Sequence, residues 1–111
     1  MAFVEGQGVL GRIRFKDGAY PSYDRTYLIV SVCYDYIEVL NVSSTHGKEW
    51  KLAFSTNVRL RSHWPPFSKD SFVKLDSLTR VYKKDYSSLR TLAQGRPLDR
   101  NELNRIKRMM Q

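Results

Sequence analysis

The strongest constraint on this chain is the run at residues 27–34, YLIVSVCY. It is almost continuously apolar, rich in β-branched side chains, and interrupted only by Ser31. A run of this length is strand-sized and falls far short of the roughly 18 apolar residues of a membrane span. Because it does not alternate, it is expected to be a central strand covered on both faces. Such a strand needs partners on both edges, and the flanking sequence offers them. Residues 8–16 (GVLGRIRFK) alternate from Ile13 onward, with Val9, Ile13 and Phe15 against Arg12, Arg14 and Lys16, as a half-buried strand does. Asp17-Gly18 marks a turn, extended as a loop to Asp24. Asp35 makes a tight break before residues 36–42 (YIEVLNV), the expected hairpin partner.

The rest of the first two-thirds continues in the same style. Residues 43–47 (SSTHG) are expected to be a polar loop. Residues 49–54 are expected to form a short strand with Trp50, Leu52 and Phe54 on one face and Trp50 in the core. Val58 and Leu60 mark another extended piece. Trp64-Pro65-Pro66-Phe67 is a rigid connection, since each proline fixes its own φ and restricts its predecessor. Residues 71–75 and 79–82 are expected to be the last strands. Many short strands separated by turn signals give a mainly β class and a small barrel.

The end of the chain changes period. Ser87 or Ser88 is expected to cap a short helix running to Gln94, stopped by Gly95. A second start is better marked: Asp99 and Glu102 have capping-box spacing, and Leu98 with Leu103 forms a hydrophobic staple. Leu103, Ile106, Met109 and Met110 then share one face of a terminal helix. With 111 residues and no linker, repeat or low-complexity tract, a single domain over residues 1–111 is expected.

Charge gives the first indication of function. The net charge is +8, and it is unevenly placed. Residues 1–55 carry six basic and six acidic side chains, whereas residues 56–111 carry thirteen and five. Concentrated positive charge attracts a polyanion: nucleic acid, an anionic membrane or an acidic protein segment. The single cysteine, Cys33, leaves no intramolecular disulfide and no Cys-rich zinc site. No leader pattern opens the chain, so a reducing cytoplasm and no membrane partner are expected. There is no Walker loop, dinucleotide fingerprint or HExxH motif, the two histidines lack metal-ligand spacing, and no cofactor is expected.

The remaining residues suit phosphodiester chemistry on RNA without a metal. Attack of a 2′-hydroxyl on the adjacent phosphorus needs a base, an acid for the leaving 5′-oxygen, and cationic donors for the phosphorane. Arginine supplies a permanent charge and a forked donor, and a hydroxyl can position a phosphate. Arg25 at the mouth of the apolar strand and the Ser43-Ser44-Thr45-His46 stretch are the candidates. Antiparallel pairing of the hairpin would bring them to one end of the barrel. His46 is a candidate base. Arg59 and Arg61, then Lys69, are candidate phosphate contacts. Tyr20 and Tyr23 could stack bases.

These anchors resemble the MazF/PemK family of toxin endoribonucleases. They are the strand over residues 8–15, the segment Arg25-Thr26-Tyr27-Leu28-Ile29-Val30, and the apolar strand ending in Val42-Ser43-Ser44-Thr45. The block over residues 69–81 (KDSFVKLDSLTRV) and a terminal helix complete the set. The resemblance implies an SH3-like barrel, usually a homodimer, that cuts single-stranded RNA at short sequences without metal. It also implies an acidic antitoxin laid over the RNA groove. Carried over by position, it assigns catalysis to Arg25 with Ser43 or Ser44, Thr45 being the third choice. Thr45, His46, Arg59, Arg61, Lys69 and Asp76 would contact RNA. Thr26 stands where the family carries proline, and serines stand where it carries threonine. The other readings are a non-catalytic nucleic-acid- or protein-binding module and a gyrase poison of the CcdB type.

Overall fold

The apolar run forms strand β2 (Arg25–Val32), which pairs antiparallel with β3 (Tyr36–Ser44) on one edge and β1 (Gly8–Gly11) on the other. The computed structural model describes residues 2–14 and 18–111. β2 is buried on both faces, as its lack of alternation implies. Leu28 and Val30 join Leu40, Val42 and Val73 in one apolar cluster, completed by Leu103 and Ile106 of helix α1 (Arg100–Met109). Tyr27 and Ile29 join Val9, Ile37, Val39, Val81 and Leu89 in a second cluster on the opposite face. Each large apolar side chain removed from water in this way contributes about 1.5–3 kcal/mol.

The free edge of β3 is shared by two strands. β5 (Ser71–Lys74) pairs with its last residues, Val42 to Ser44, and β6 (Thr79–Tyr82) with Tyr36 to Val39. The sheet is interrupted between them, over residues 75–78. At that gap the Asn41 amide would lack a ladder partner; it donates instead to Ser77 Oγ at 2.8 Å, and the same hydroxyl donates to the Lys74 carbonyl. β4 (Asn57–Arg59) adds to β5, and β7 (Leu89–Thr91) adds to β1, giving the order β4-β5-β3-β2-β1-β7. The result is the expected mainly β, barrel-like fold with a terminal helix. Among the described residues no helix is long and apolar enough to cross a membrane.

Several expectations are corrected. Residues 49–54 are not a strand. Glu49–Ala53 is a 3-10 helix, and Trp50 is 64% exposed rather than in the core. The segment joins no strand ladder, although β4 ends the sheet. Its amides close local turns instead, Lys51 to Lys48 O and Phe54 to Lys51 O. Ser43 and Ser44 are the last residues of β3, not a loop. The helix expected up to Gln94 is replaced by a 3-10 helix (Lys83–Ser88), strand β7 and a short 3-10 turn (Ala93–Gly95). Pairing with the open edge of β1 outweighs local helix preference there. β1 itself stops at Gly11. The expected continuation through Phe15 and Lys16, and the Asp17 half of the turn, lie outside the described residues.

The helix start behaves differently from a reciprocal capping box. Asp99 accepts from the Glu102 amide at 3.1 Å, as an N-cap should, and Leu98 and Leu103 are both buried as a staple. The Glu102 carboxylate, only 5% exposed, turns away from the cap. It accepts from the amides of Arg61 and Ser62 beyond the end of β4 and from the Arg105 guanidinium, whose Nε–Oε1 distance is 2.7 Å. Arg105 also donates to the Arg59 carbonyl at 3.0 Å. Burial pushes the Glu102 carboxyl up, but these donors together outweigh it and hold the group below its ordinary 4.5.

Two outcomes are expected. A Cβ at Gly11 would lie 2.4 Å from the Ser88 carbonyl oxygen. Gly11→Ala should therefore cost about 1–3 kcal/mol and lower the thermal midpoint. The depressed folded-state value of Glu102 means that its stabilising contribution is complete above the unfolded value. It is lost as pH falls through the folded one. Glu102→Gln should cost about 2 kcal/mol at neutral pH and flatten the acid limb of the stability curve, as read by urea titrations at stepped pH.

Candidate functional site

The β2–β3 register places the candidate residues. Thr26 pairs with Val42, so one step further the same register sets Arg25 against Ser43. Alternation puts Arg25, Asn41 and Ser43 on the face that buries Tyr27, Ile29 and Val39, just where that apolar cluster ends. Ser44 lies on the opposite face, with Val42. The hydroxyls of adjacent residues thus diverge. Ser43 and Ser44 nevertheless line the same groove of about 320 Å³ with Arg25, Lys48, Lys51 and Lys74. A second cavity of about 220 Å³ shares Arg25, Asn41 and Lys74 and opens beside the strand break at Ser77.

The groove is electropositive and its polar groups are held in place. Lys48 Nζ donates to Ser43 Oγ at 3.0 Å. The Arg25 guanidinium lies 5.1 Å from the Tyr23 ring centre, a cation–π distance. Lys51 lies 5.5 Å from the Trp50 ring centre. Asn41 reaches across the hairpin and donates to the Thr26 carbonyl at 3.3 Å. Lys74 follows Val73 on β5 and belongs, by register, beside Asn41. Burial first, then the charges of Lys51, Arg25 and Lys48, hold its ammonium below the ordinary 10.5, against an upward pull from Asp76. Among the described residues the groove's one carboxylate, Asp24, is engaged by Arg12 at 3.5 Å and Arg90 at 3.2 Å.

The other candidates fall into a neighbouring group. Thr45 is buried, and its hydroxyl donates to Asp70 Oδ2 at 2.8 Å. Arg59 grips the same carboxylate with two donors, at 3.0 and 2.6 Å. Those Arg59 donations, then the Thr45 hydroxyl, hold the Asp70 carboxyl below its usual 3.8. Thr45, His46, Lys69 and Asp70 line an open depression that meets the Arg25 groove at Ser44. By register Arg59 shares a row with Ser43 and Arg25, but three strand spacings, roughly 14 Å, separate it from Arg25. Arg61 is exposed at the start of the segment that feeds Glu102, and Asp76 is exposed in the β5–β6 gap. Neither lines the Arg25 groove.

Chemically, the arrangement is a forked cation, a hydroxyl held by a lysine and three ammonium groups around a groove of about 320 Å³. Lys48 and Lys51 belong to the charge-neutral half of the chain, and no linear motif marks them. Only the β3–β5 register brings Lys74 to the same place. Among the described residues no three His, Cys, Asp or Glu side chains are grouped so that they could hold a metal ion.

Removing Lys48 and Lys51 together (both to Ala) should weaken single-stranded polynucleotide binding. It should also reduce the slope of log affinity against log salt by ~0.7 per lysine, measured by fluorescence anisotropy across a salt series. Removing exposed Lys84 should change the slope less, because it lies outside the groove. No protein-family model matches this chain, and no curated protein matches it.

Proposed function

We propose that this protein is a MazF/PemK-like endoribonuclease, the toxin of a toxin–antitoxin pair. It would cut single-stranded RNA at selected sequences by 2′-hydroxyl attack, without a metal. The observation that supports this reading is the convergence of Arg25 with Ser43 at the end of one hairpin, ringed by Lys48, Lys51 and Lys74. A phosphodiester placed there meets a bidentate donor for its non-bridging oxygens and a hydroxyl already oriented by an ammonium. As the phosphorane forms, its extra negative charge lies among fixed cations, the arrangement that stabilises a transition state more than a ground state.

On this reading Arg25 stabilises the phosphorane and Ser43 orients the phosphate, with Ser44 at the entrance toward Lys69. The products are a 2′,3′-cyclic phosphate, or the 3′-phosphate after its opening, and a 5′-hydroxyl. The same cations would receive carboxylates of an acidic antitoxin segment, which would block the groove by occupying it.

Incubation of the purified protein with a long RNA in EDTA, followed by mapping of 5′ ends, tests the proposal. The expected result is discrete cuts with 5′-hydroxyl ends, reduced by about 100-fold or more in Arg25→Ala at unchanged fold. RNA that is bound but uncut would convert the reading to a binding module. RNA that is neither bound nor cut would direct attention to a protein target.

A further inference from the structure

We propose that the hollow on the far side of the β2–β3 hairpin end is a nucleobase pocket. In it the ring of Trp64 stacks on a base of the same single strand whose phosphate lies in the Arg25 groove. The inference rests on the RNA reading of that groove and names what that reading leaves open, the place where a base is read.

The hollow encloses about 400 Å³. Its floor is the sheet face opposite Arg25 and Ser43: Thr26 pairs with Val42 across the hairpin, and Ser44 pairs with Ser71 of β5. Thr26, Val42 and Ser44 also line the Arg25 groove, so the two spaces meet around the strand ends. A strand seated in one continues into the other.

One wall is an exposed ring on a fixed support. Trp64 is 51% exposed, whereas Phe67 is buried in the first apolar cluster. The Phe67 amide donates to the His63 carbonyl at 2.8 Å, and His63 Nδ1 lies 2.7 Å from the Phe67 carbonyl. Pro66 packs so closely on β1 that a Cβ at Gly8 would lie 2.8 Å from its Cγ. The loop is pinned by its own bonds and by the core while its indole stays exposed.

The facing wall is a tight turn that begins at Ala93. Ala93 and Gln94 both have a φ of +53°, a left-handed conformation that non-glycine residues adopt at a cost. Gln7 Nε2 holds the turn by donating to the Gly95 carbonyl at 3.0 Å, and the Arg96 amide donates to the Ala93 carbonyl at 3.1 Å. Arg96 leaves this turn with its guanidinium 4.9 Å from the Trp64 ring centre. Lys69 lines the same hollow, and among the described residues no carboxylate does.

These features select the occupant. An apolar side chain of a partner makes no use of the cations, and an acidic one makes no use of the ring. A nucleotide uses both: its base stacks on the indole, and its phosphate meets Lys69 and Arg96. Ser44 Oγ accepts from the His46 amide at 3.2 Å, so its own hydroxyl proton is what it offers to the edge of a base. Ser44 then serves recognition, while Ser43 on the other face meets the phosphate.

Two measurements test the inference. In the first, Trp50→Phe leaves Trp64 as the single indole of the chain. Its emission is titrated with uncleavable 2′-O-methyl homopolymers of A, C and U, with inorganic polyphosphate and with poly-glutamate, while binding is followed separately by calorimetry. The expected result is quenching that tracks homopolymer binding, with one base effective at about a tenth of the concentration of the others, and none with polyphosphate, which carries charge without rings. Homopolymers that bind without quenching overturn the pocket and leave the RNA groove standing. Quenching by polyphosphate or poly-glutamate equal to that by RNA overturns the base in favour of an anion or an acidic protein segment. Homopolymers that do not bind overturn both readings. In the second, kcat, KM and the mapped 5′ ends of RNA cleavage are compared for wild type, Trp64→Phe and Trp64→Ala. Trp64→Ala is expected to raise KM about 10-fold, leave kcat nearly unchanged and relax the sequence preference at one position beside the cut, while Trp64→Phe keeps most of both. A Trp64→Ala protein with wild-type KM and cut sites overturns the pocket and leaves the endoribonuclease reading standing. A wild-type protein that is quenched by RNA without cutting it keeps the pocket and overturns the nuclease.

Discussion

The antiparallel pairing of β2 with β3 is the interaction on which the rest of this molecule depends. β2 is apolar on both faces, so it requires a cover on each side. β3 supplies one edge and, through its own alternation, sends Ile37 and Val39 to one cluster and Leu40 and Val42 to the other. That register also decides what happens where the apolar residues stop. Tyr27 and Val39 give way on the same face to Arg25, Asn41 and Ser43, so the polar groove is the continuation of a core surface past its last buried side chains. A one-residue slip would exchange every side chain between the faces and scatter the group.

Much of this architecture was legible in the sequence, and the reasons differ by element. The apolar run, its hairpin partner and residues 79–82 follow from periodicity and turn residues, and the terminal helix from its cap and staple. Residues 49–54 and the stretch up to Gln94 were not legible because local alternation and helix preference do not say whether a segment joins the sheet. Trp50, Leu52 and Phe54 alternate as a strand would, yet the backbone there closes local turns and joins no ladder. Residues 89–91 could propagate a helix, yet β1 has an unfilled edge and Leu89 a place in the second cluster. Edge availability is a property of the assembled sheet and has no local signature.

The same distinction applies to the candidate site. Arg25 and Ser43 could be joined from the sequence because they flank a single hairpin. The cation cluster could not. The net positive charge lies in residues 56–111, but two of the three groove lysines and Arg25 come from the half whose charges cancel. Of the acidic residues of that half, Asp24 lines the groove but is engaged by Arg12 and Arg90, and Glu38 pairs with Arg80, which leaves the groove lining with more cations than carboxylates. Spatial segregation of charge, more than its sum along the chain, makes the electrostatic surface here.

Arg59 is the point where the terminal helix and the strand ends meet. Its side chain clamps Asp70, which holds Thr45, while its carbonyl receives Arg105, which is locked to Glu102 at the first turn of α1. A continuous polar relay therefore runs from the helix beneath the barrel to the rim of the depression beside Ser44. Its two carboxylates are each held below their ordinary values, Asp70 chiefly by Arg59 and Glu102, against its own burial, by Arg105 and the amides of Arg61 and Ser62. Arg59 therefore ties the first turn of α1 to the depression beside Ser44 through its backbone on one side and its side chain on the other.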